Sequence, residues 1–404
     1  MAGEAVDDRR RALLMMLAMG ALYAGFGVMM GLLQGGLPPV LRARGMPLDQ
    51  LALTYVLFLP LGLSFAWAPL VDRIRLPWLS PRIGWIVAAQ AVAVAGVVAV
   101  ALLEDAPLAL LFGLGLGVAI AMATMDLALD ALAVEMAGES LKPVAAALKL
   151  AALALGSMLG GGVFVGLLGS LGWLATFLSV AAFLSLSLAP VLGLTHADSA
   201  AHAAHQRKTA GVGRMFGILR QPQLRWRVAM LVVAGSVIFP LSAHNRVMLV
   251  DLGVPLERIA WLVGTLQPLA LLVASLVVAP MVRTVGHRSA LALLAASALL
   301  CVGLLLAAWH YGIPALAIAG TVGMAGIVGA LMVVYATLML CWAEGDQAAT
   351  SYAVMFCGTR LAGMVATVGT GKLVAVVGWQ AFYGLGAAAL LLSSAWLLRG
   401  LRNT

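Results

Sequence analysis

A chain of 404 residues is long enough for several soluble domains, but 63% hydrophobic and only 10% charged residues leave too little polar surface to coat one. A mean hydropathy of +1.06 makes lipid the solvent for most side chains. The formal net charge of +8 does not point to nucleic acid, because the Lys and Arg residues are scattered over short loops instead of gathering on one folded face.

A spanning helix needs roughly twenty mainly apolar residues. In chain order this predicts twelve spans, at about 12–37, 50–70, 84–103, 107–134, 143–168, 173–194, 226–250, 257–281, 289–309, 314–341, 348–373 and 379–398. The opening Asp7-Asp8-Arg9-Arg10-Arg11 leads into an apolar run too long for a signal peptide and without a cleavage site, so this run is expected to stay as the first span. Cys301, Cys341 and Cys357 lie in or at the end of apolar runs without metal-ligand spacing and are read as packing residues, with no disulfide and no metal.

With the N-terminus in the cytoplasm, seventeen of the 24 Lys and Arg residues fall in inner segments and only Arg42, Arg44 and Arg258 in outer loops. The other four, Lys149, Arg246, Arg360 and Lys372, fall within predicted spans. That bias predicts a multi-pass protein with both termini cytoplasmic.

The one long polar stretch, 196–225, reads as a cytoplasmic linker between an N-terminal six-helix bundle, 1–195, and a C-terminal one, 226–404. The two halves resemble one another. Gly45-Met46-Pro47-Leu48-Asp49-Gln50-Leu51-Ala52 recurs 208 residues later as Gly253-Val254-Pro255-Leu256-Glu257-Arg258-Ile259-Ala260. Ala68-Pro69-Leu70-Val71 matches Ala279-Pro280-Met281-Val282, Lys149-Leu150-Ala151 matches Arg360-Leu361-Ala362, and Glu135 matches Asp346, all at an offset of 211. An ordered set of this kind predicts an all-α integral membrane fold made of two pseudo-symmetric six-helix bundles with a cavity between them.

Charges inside a membrane helix are functional candidates because each costs several kcal/mol unless paired or hydrated. Asp126 and Asp130 are four apart in the fourth span and share a helical face, which suits them to carrying a proton. The structural alternative is an ion pair with Lys149 of the fifth span. Lys149 and Arg360 each lie fourteen residues past their equivalent acidic residues, Glu135 and Asp346, which at about 1.5 Å per residue puts both near mid-bilayer. Two such cations would attract an anionic solute. Lys149 has carboxylates at hand in Asp126 and Asp130, which leaves Arg360 the stronger candidate for gripping a carboxylate or phosphate.

His244, Asn245 and Arg246 form a polar triplet near the outer end of the seventh span, and Gln34 stands 211 residues before Asn245. These four are candidates for lining a substrate path, with snorkelling of Arg246 to the headgroups as the structural alternative. Lys372 reads as a snorkelling residue. Gly156, Gly160, Gly161 and Gly162, with Gly358 and Gly363, mark close helix approach. Nothing resembles a phosphate-cradling loop, a nucleophile elbow or a zinc site, so the reading is of no enzyme and no cofactor.

The twelve spans, the linker and Asp72-Arg73 directly after the second span together resemble the major facilitator superfamily over essentially the whole chain. Its cytoplasmic motif begins with Gly, where this chain has Ala68. The Asp-Arg core is present, and the resemblance implies that Asp72 and Arg73 latch neighbouring helices as a gate. Within the superfamily, Trp67-Ala68-Pro69-Leu70-Val71-Asp72-Arg73 and Ala123-Thr124-Met125-Asp126-Leu127-Ala128-Leu129-Asp130-Ala131-Leu132-Ala133-Val134-Glu135 look like signatures of AmpG-like muropeptide permeases and of siderophore uptake permeases of the pyochelin and rhizobactin type. Met125 stands where that pattern has Gln.

The resemblance implies a monomeric, proton-driven importer in a bacterial cytoplasmic membrane that alternates access by rocking its halves. Its partners would be protons, lipid and a small solute, with a ferric siderophore as first choice of cargo and an anhydromuropeptide as second. Drug or metabolite export, and a non-transporting role like that of pigment-protein assembly factors of the same fold, stay open.

Overall fold

The computed structural model describes residues 2–74, 76, 80–136, 142–195, 198, 222–342 and 348–401, with backbone alone for 2–13, 65, 72, 73, 134, 142, 143, 146, 279, 348–350 and 353. Among them every regular element is helical, and nine stretches are long and apolar enough to cross a bilayer. A shorter apolar run, Leu48–Leu63, adds a tenth. Two of the nine, Ala147–Leu192 and Val354–Gly400, are 46 and 47 residues long, twice the length a bilayer needs.

Each of these two is broken by a glycine. Gly172 has φ 76° and ψ 173°, and Gly378 has φ 75° and ψ 171°. Positive φ with ψ near 180° is essentially closed to residues with a Cβ, so the chain turns there and re-enters as a new helix. Counting each as two gives twelve spans, in the order the sequence predicted. Each break is followed by a buried tryptophan, Trp173 or Trp379, another pair of matching positions in the two halves.

The turns after the first and seventh spans repeat in detail. Gly45 (φ 89°) and Gly253 (φ 79°) sit in equivalent left-handed positions. Met46 N donates to Leu41 O and Gly45 N to Arg42 O, as Val254 N does to Leu249 O and Gly253 N to Val250 O. Both are glycine-closed helix ends followed by a proline that starts the next span.

The second span differs from the single α-helix expected over 50–70. It runs as Leu48–Leu51, a 3-10 segment Ala52–Phe58, Leu59–Leu63 and a further 3-10 turn Ser64–Ala66. Pro60 lacks the N–H that would bond to Val56 O in an α-helix, and Leu59 N takes that carbonyl in a tighter turn instead.

Two compact units result. The first contains Met1–Leu33 and Leu63–Thr209, the second Gln34–Gly62 and Ala210–Thr404, so the outer end of the first span and most of the second span pack with the later helices. In the first unit the first span lies on the fifth. A methyl group built on Gly156 would run into the Ala24 carbonyl oxygen, and one on Gly160 into that of Val28. Ser157 Oγ donates to Gly27 O at 3.2 Å. Small residues thus bring the two backbones together, as the glycine spacing predicted for Gly156 and Gly160. In the second unit the seventh span packs on the eleventh, with Gly235 against Thr359 and Gly363 against the Phe239 ring.

Candidate functional site

The first unit carries a four-residue ionic cluster built from three spans. Asp126 and Asp130 lie on one face of the 29-residue helix Leu108–Met136, and Lys149 comes from Lys142–Met158. Lys149 Nζ is 2.6 and 2.7 Å from the two oxygens of Asp130 and 3.3 Å from Asp126 Oδ1. Tyr23, from the first span, donates its hydroxyl to Asp130 Oδ1 and holds its ring 4.8 Å under the ammonium.

Formal charges in this cluster sum to one negative charge, two carboxylates against one ammonium. The side chains keep 23% (Asp126), 28% (Lys149) and 47% (Asp130) of their exposure, so the group is not sealed in apolar packing. Tyr23 is buried, and so is Met125, at the position where the resembling families have Gln. The arrangement brings two carboxylates from one helix face onto a single ammonium.

In the second unit, Arg360 sits on the long helix that begins at Ala348, with Cζ 5.5 Å from the centre of the Phe356 ring. His244, Asn245 and Arg246 are buried and tied into the unit. His244 Nε2 is 3.1 Å from Thr370 Oγ1, and its ring is boxed edge-on by Tyr55 and Phe382. Tyr383 donates to Asn245 Oδ1 at 2.7 Å, while Asn245 Nδ2 has no partner. Arg246 Nε donates to Gln267 Oε1 at 2.6 Å, and Gly35 leaves the room that its guanidinium fills. Arg246 is therefore held inward, not extended to the headgroups. Gln34, the repeat equivalent of Asn245, is exposed.

Asp72 and Arg73 end the helix Ala68–Arg73, and their side chains lie outside the described residues, as do Asp346 and most of the linker. Nearby, Arg82 and Asp198, which the sequence did not single out, form a network with Glu135. Arg82 pairs with Glu135 at 2.6 Å, and Asp198 Oδ2 accepts from the Arg82 and Ile83 backbone N–H groups that open the third span. Tyr23, Arg42, Asp251 and Gln267 were also passed over. For Tyr23 and Gln267 the available signal was a polar group inside an apolar run, and for Asp251 it was a lone acid at the end of the seventh span.

No family model matches the sequence. Among solved structures, a POT family transporter in complex with 5-aminolevulinic acid superposes with a TM-score of 0.73 at 14% identity, over 98% of this chain and 97% of that one. The nucleoside transporter NupG gives 0.69 at 12% identity, covering 96% and 98%. A bacterial homolog of the human lysosomal transporter Spinster, in an inward-facing and unoccupied conformation, gives 0.70 at 13%, covering 97% of both. At these identities the likeness is one of fold, and it extends over both chains almost end to end. The chain has the major facilitator fold.

Proposed function

We propose that this chain is a proton-coupled secondary transporter that imports a small anionic solute across a bacterial cytoplasmic membrane, working as a monomer with both termini cytoplasmic. The observation that carries the reading is the cluster of Asp126, Asp130, Lys149 and Tyr23. Two carboxylates and an ammonium inside spanning helices are costly, and a proton that binds and leaves during transport gives them a purpose. Arg360 is the counterpart in the second unit, a guanidinium suited to a carboxylate or phosphate. Asp72 and Arg73 would latch the inner gate, and Gln34, His244, Asn245 and Arg246 would line the outer path. The duplicated halves, 1–195 and 226–404, would be joined by 196–225.

Support for a transported solute comes from the fold shared with a POT family transporter in complex with 5-aminolevulinic acid and with a nucleoside transporter. The cargo itself rests on the motifs at 67–73 and 123–135 alone. They favour a ferric siderophore such as a pyochelin-like chelate, with an anhydromuropeptide second and a pigment-protein assembly role third.

Purified protein in proteoliposomes, offered radiolabelled ferric pyochelin or anhydromuropeptide under an imposed proton gradient, tests the reading. The expected result is accumulation of one of the two that stops when the gradient is collapsed and in the Asp126→Asn/Asp130→Asn double variant. Gradient-independent accumulation rejects the coupling. Absence of flux with either cargo, together with stable co-purification of a partner membrane protein, favours the assembly role.

A further inference from the structure

We propose that the second unit holds an aryl-anion site on the eleventh span, in which Tyr352 and Phe356 stack against the flat ring of a solute while Arg360 takes its acidic group. This deepens the anionic-solute reading and rests on it.

Tyr352, Phe356 and Arg360 are spaced by four, so all three project from one face of the helix that begins at Ala348. At 1.5 Å per residue the strip is about 12 Å long, enough for a ring system with a carboxylate at one end. The Tyr352 and Phe356 rings are 12° from parallel with centres 6.0 Å apart, and Arg360 Cζ lies 5.5 Å from the Phe356 centre. The two rings are near-parallel and the guanidinium lies beside the Phe356 ring. Tyr352 and Phe356 pack against the unit's core, and all three residues keep part of their exposure, so the strip is packed on one side without being wholly covered.

A guanidinium in a spanning helix, with an aromatic face at its side, recognises a planar anion better than an aliphatic one. Arg360 bonds both oxygens of a carboxylate in a single plane. That plane continues into the ring of an aromatic acid, which then meets Phe356 and Tyr352 as a second π surface. An aliphatic acid of the same size gains the charge contact and the apolar contact but not the stacking. A strip serving only to pack helices gives no such preference.

Two probes of matched size separate the possibilities, 2-naphthoate and its fully saturated analogue decahydro-2-naphthoate, titrated into purified full-length protein. The expected result is about tenfold tighter binding of the aromatic acid, the scale at which one stacked ring contributes. Phe356→Leu/Tyr352→Leu brings the ratio close to one while binding of the saturated acid persists, and Arg360→Gln loses both. Equal binding of the two acids by the unaltered protein, with loss of both in Arg360→Gln, overturns the aromatic strip and leaves the anion reading standing. A preference that survives in Phe356→Leu/Tyr352→Leu overturns it as well. No binding of either acid overturns both readings. The unaltered protein decides the first point by itself, so a variant that fails to fold does not blunt the test.

Discussion

Arg42 and Asp251 are 209 residues apart and meet at 2.6 Å, Nε to Oδ1. Trp379 Nε1 donates to the other carboxylate oxygen at 2.8 Å, and Arg42 also bonds Met46 O. The chain segment around the outer turn is thereby fastened to the seventh and twelfth spans of the second unit. Asp251 is the hub, because its loss strands the donors of both Arg42 and Trp379, while loss of Arg42 leaves the carboxylate its bond from Trp379. Asp251→Ala is expected to destabilise by about 1–3 kcal/mol, discounted from the fully buried case because Arg42 keeps 26% of its exposure. Arg42→Gln is expected to cost less. Thermal melting of detergent-purified single and double variants checks the order, and equal losses for the two single variants would count against Asp251 as hub.

The cluster of Lys149 with its two carboxylates makes a second expectation. Lys149→Met removes the cation that bonds both Asp126 and Asp130, which lie one helical turn apart. Breaking such a group by taking out one partner costs about 3–5 kcal/mol when it is buried, and less here because the side chains are partly exposed. Lys149→Met/Asp130→Leu, which also removes one negative charge, should melt higher than Lys149→Met alone. A lower melting point for the double variant would mean that the Tyr23 bond to Asp130 outweighs the repulsion between the two carboxylates.

Tyr23→Phe deletes a single hydroxyl from the same cluster and leaves the buried ring in place. The fold is expected to persist with a lowered melting temperature, since the hydroxyl contributes about 1–3 kcal/mol through a bond to a charged acceptor. Proteoliposome uptake should slow as well, because one of the bonds that fix Asp130 beside Lys149 is gone. An unchanged uptake rate in a folded Tyr23→Phe variant would place Tyr23 outside the transport step.

Much of the fold was legible because lipid imposes long apolar runs, and the repeat was legible because a left-handed helix end needs glycine at Gly45 and Gly253 alike. The acidic pair was legible because a charge in an apolar run stands out and a spacing of four puts two on one face. Tyr23 did not stand out, since a tyrosine amid Met, Leu and Ala looks like packing until its hydroxyl is seen on a carboxylate. Arg42 and Asp251 each looked like a loop-end charge, and nothing local ties partners so far apart. Gln34 and Asn245 show the limit of the repeat. The sequence positions correspond, but Gln34 lies in the π-helical stretch Gly31–Gly36 with its side chain exposed, while Asn245 opens the α-helix Asn245–Asp251 and is wholly buried against Tyr383. The repeat in sequence does not carry over to local backbone or side-chain surroundings at this point.

Asp198 caps the third span from a distance. Its Oδ2 accepts from Arg82 N at 2.9 Å and Ile83 N at 3.1 Å, while Ser80, in the N-cap position, makes no side-chain cap bond. Asp198→Ala would leave two buried N–H groups unsatisfied and is expected to cost about 1–3 kcal/mol. Asp198→Asn keeps an acceptor and removes a fully buried charge whose other oxygen has no partner, so it should melt at or above the unaltered protein. If Asn destabilises as much as Ala, the negative charge at the helix start matters more than the hydrogen bonds.

The glycines divide into those that must be bare and those that need not be. Gly160 faces the Val28 carbonyl of the first span, and Gly156 that of Ala24, so even a methyl group forces the two backbones apart. Gly113, also helical, has nothing within 4 Å of where a Cβ would be built. Alanine at Gly113 should gain about 0.5–1 kcal/mol from helix propensity alone. The same change at Gly160 sets that gain against lost contact along the whole first-to-fifth helix seam, and overpacking of a tight interface costs about 1–3 kcal/mol. Gly160→Ala is therefore expected to melt below the unaltered protein and Gly113→Ala at or above it. Melting curves in which Gly160→Ala matches Gly113→Ala would show that the seam has slack to give, and that small residues there do not set the helix spacing.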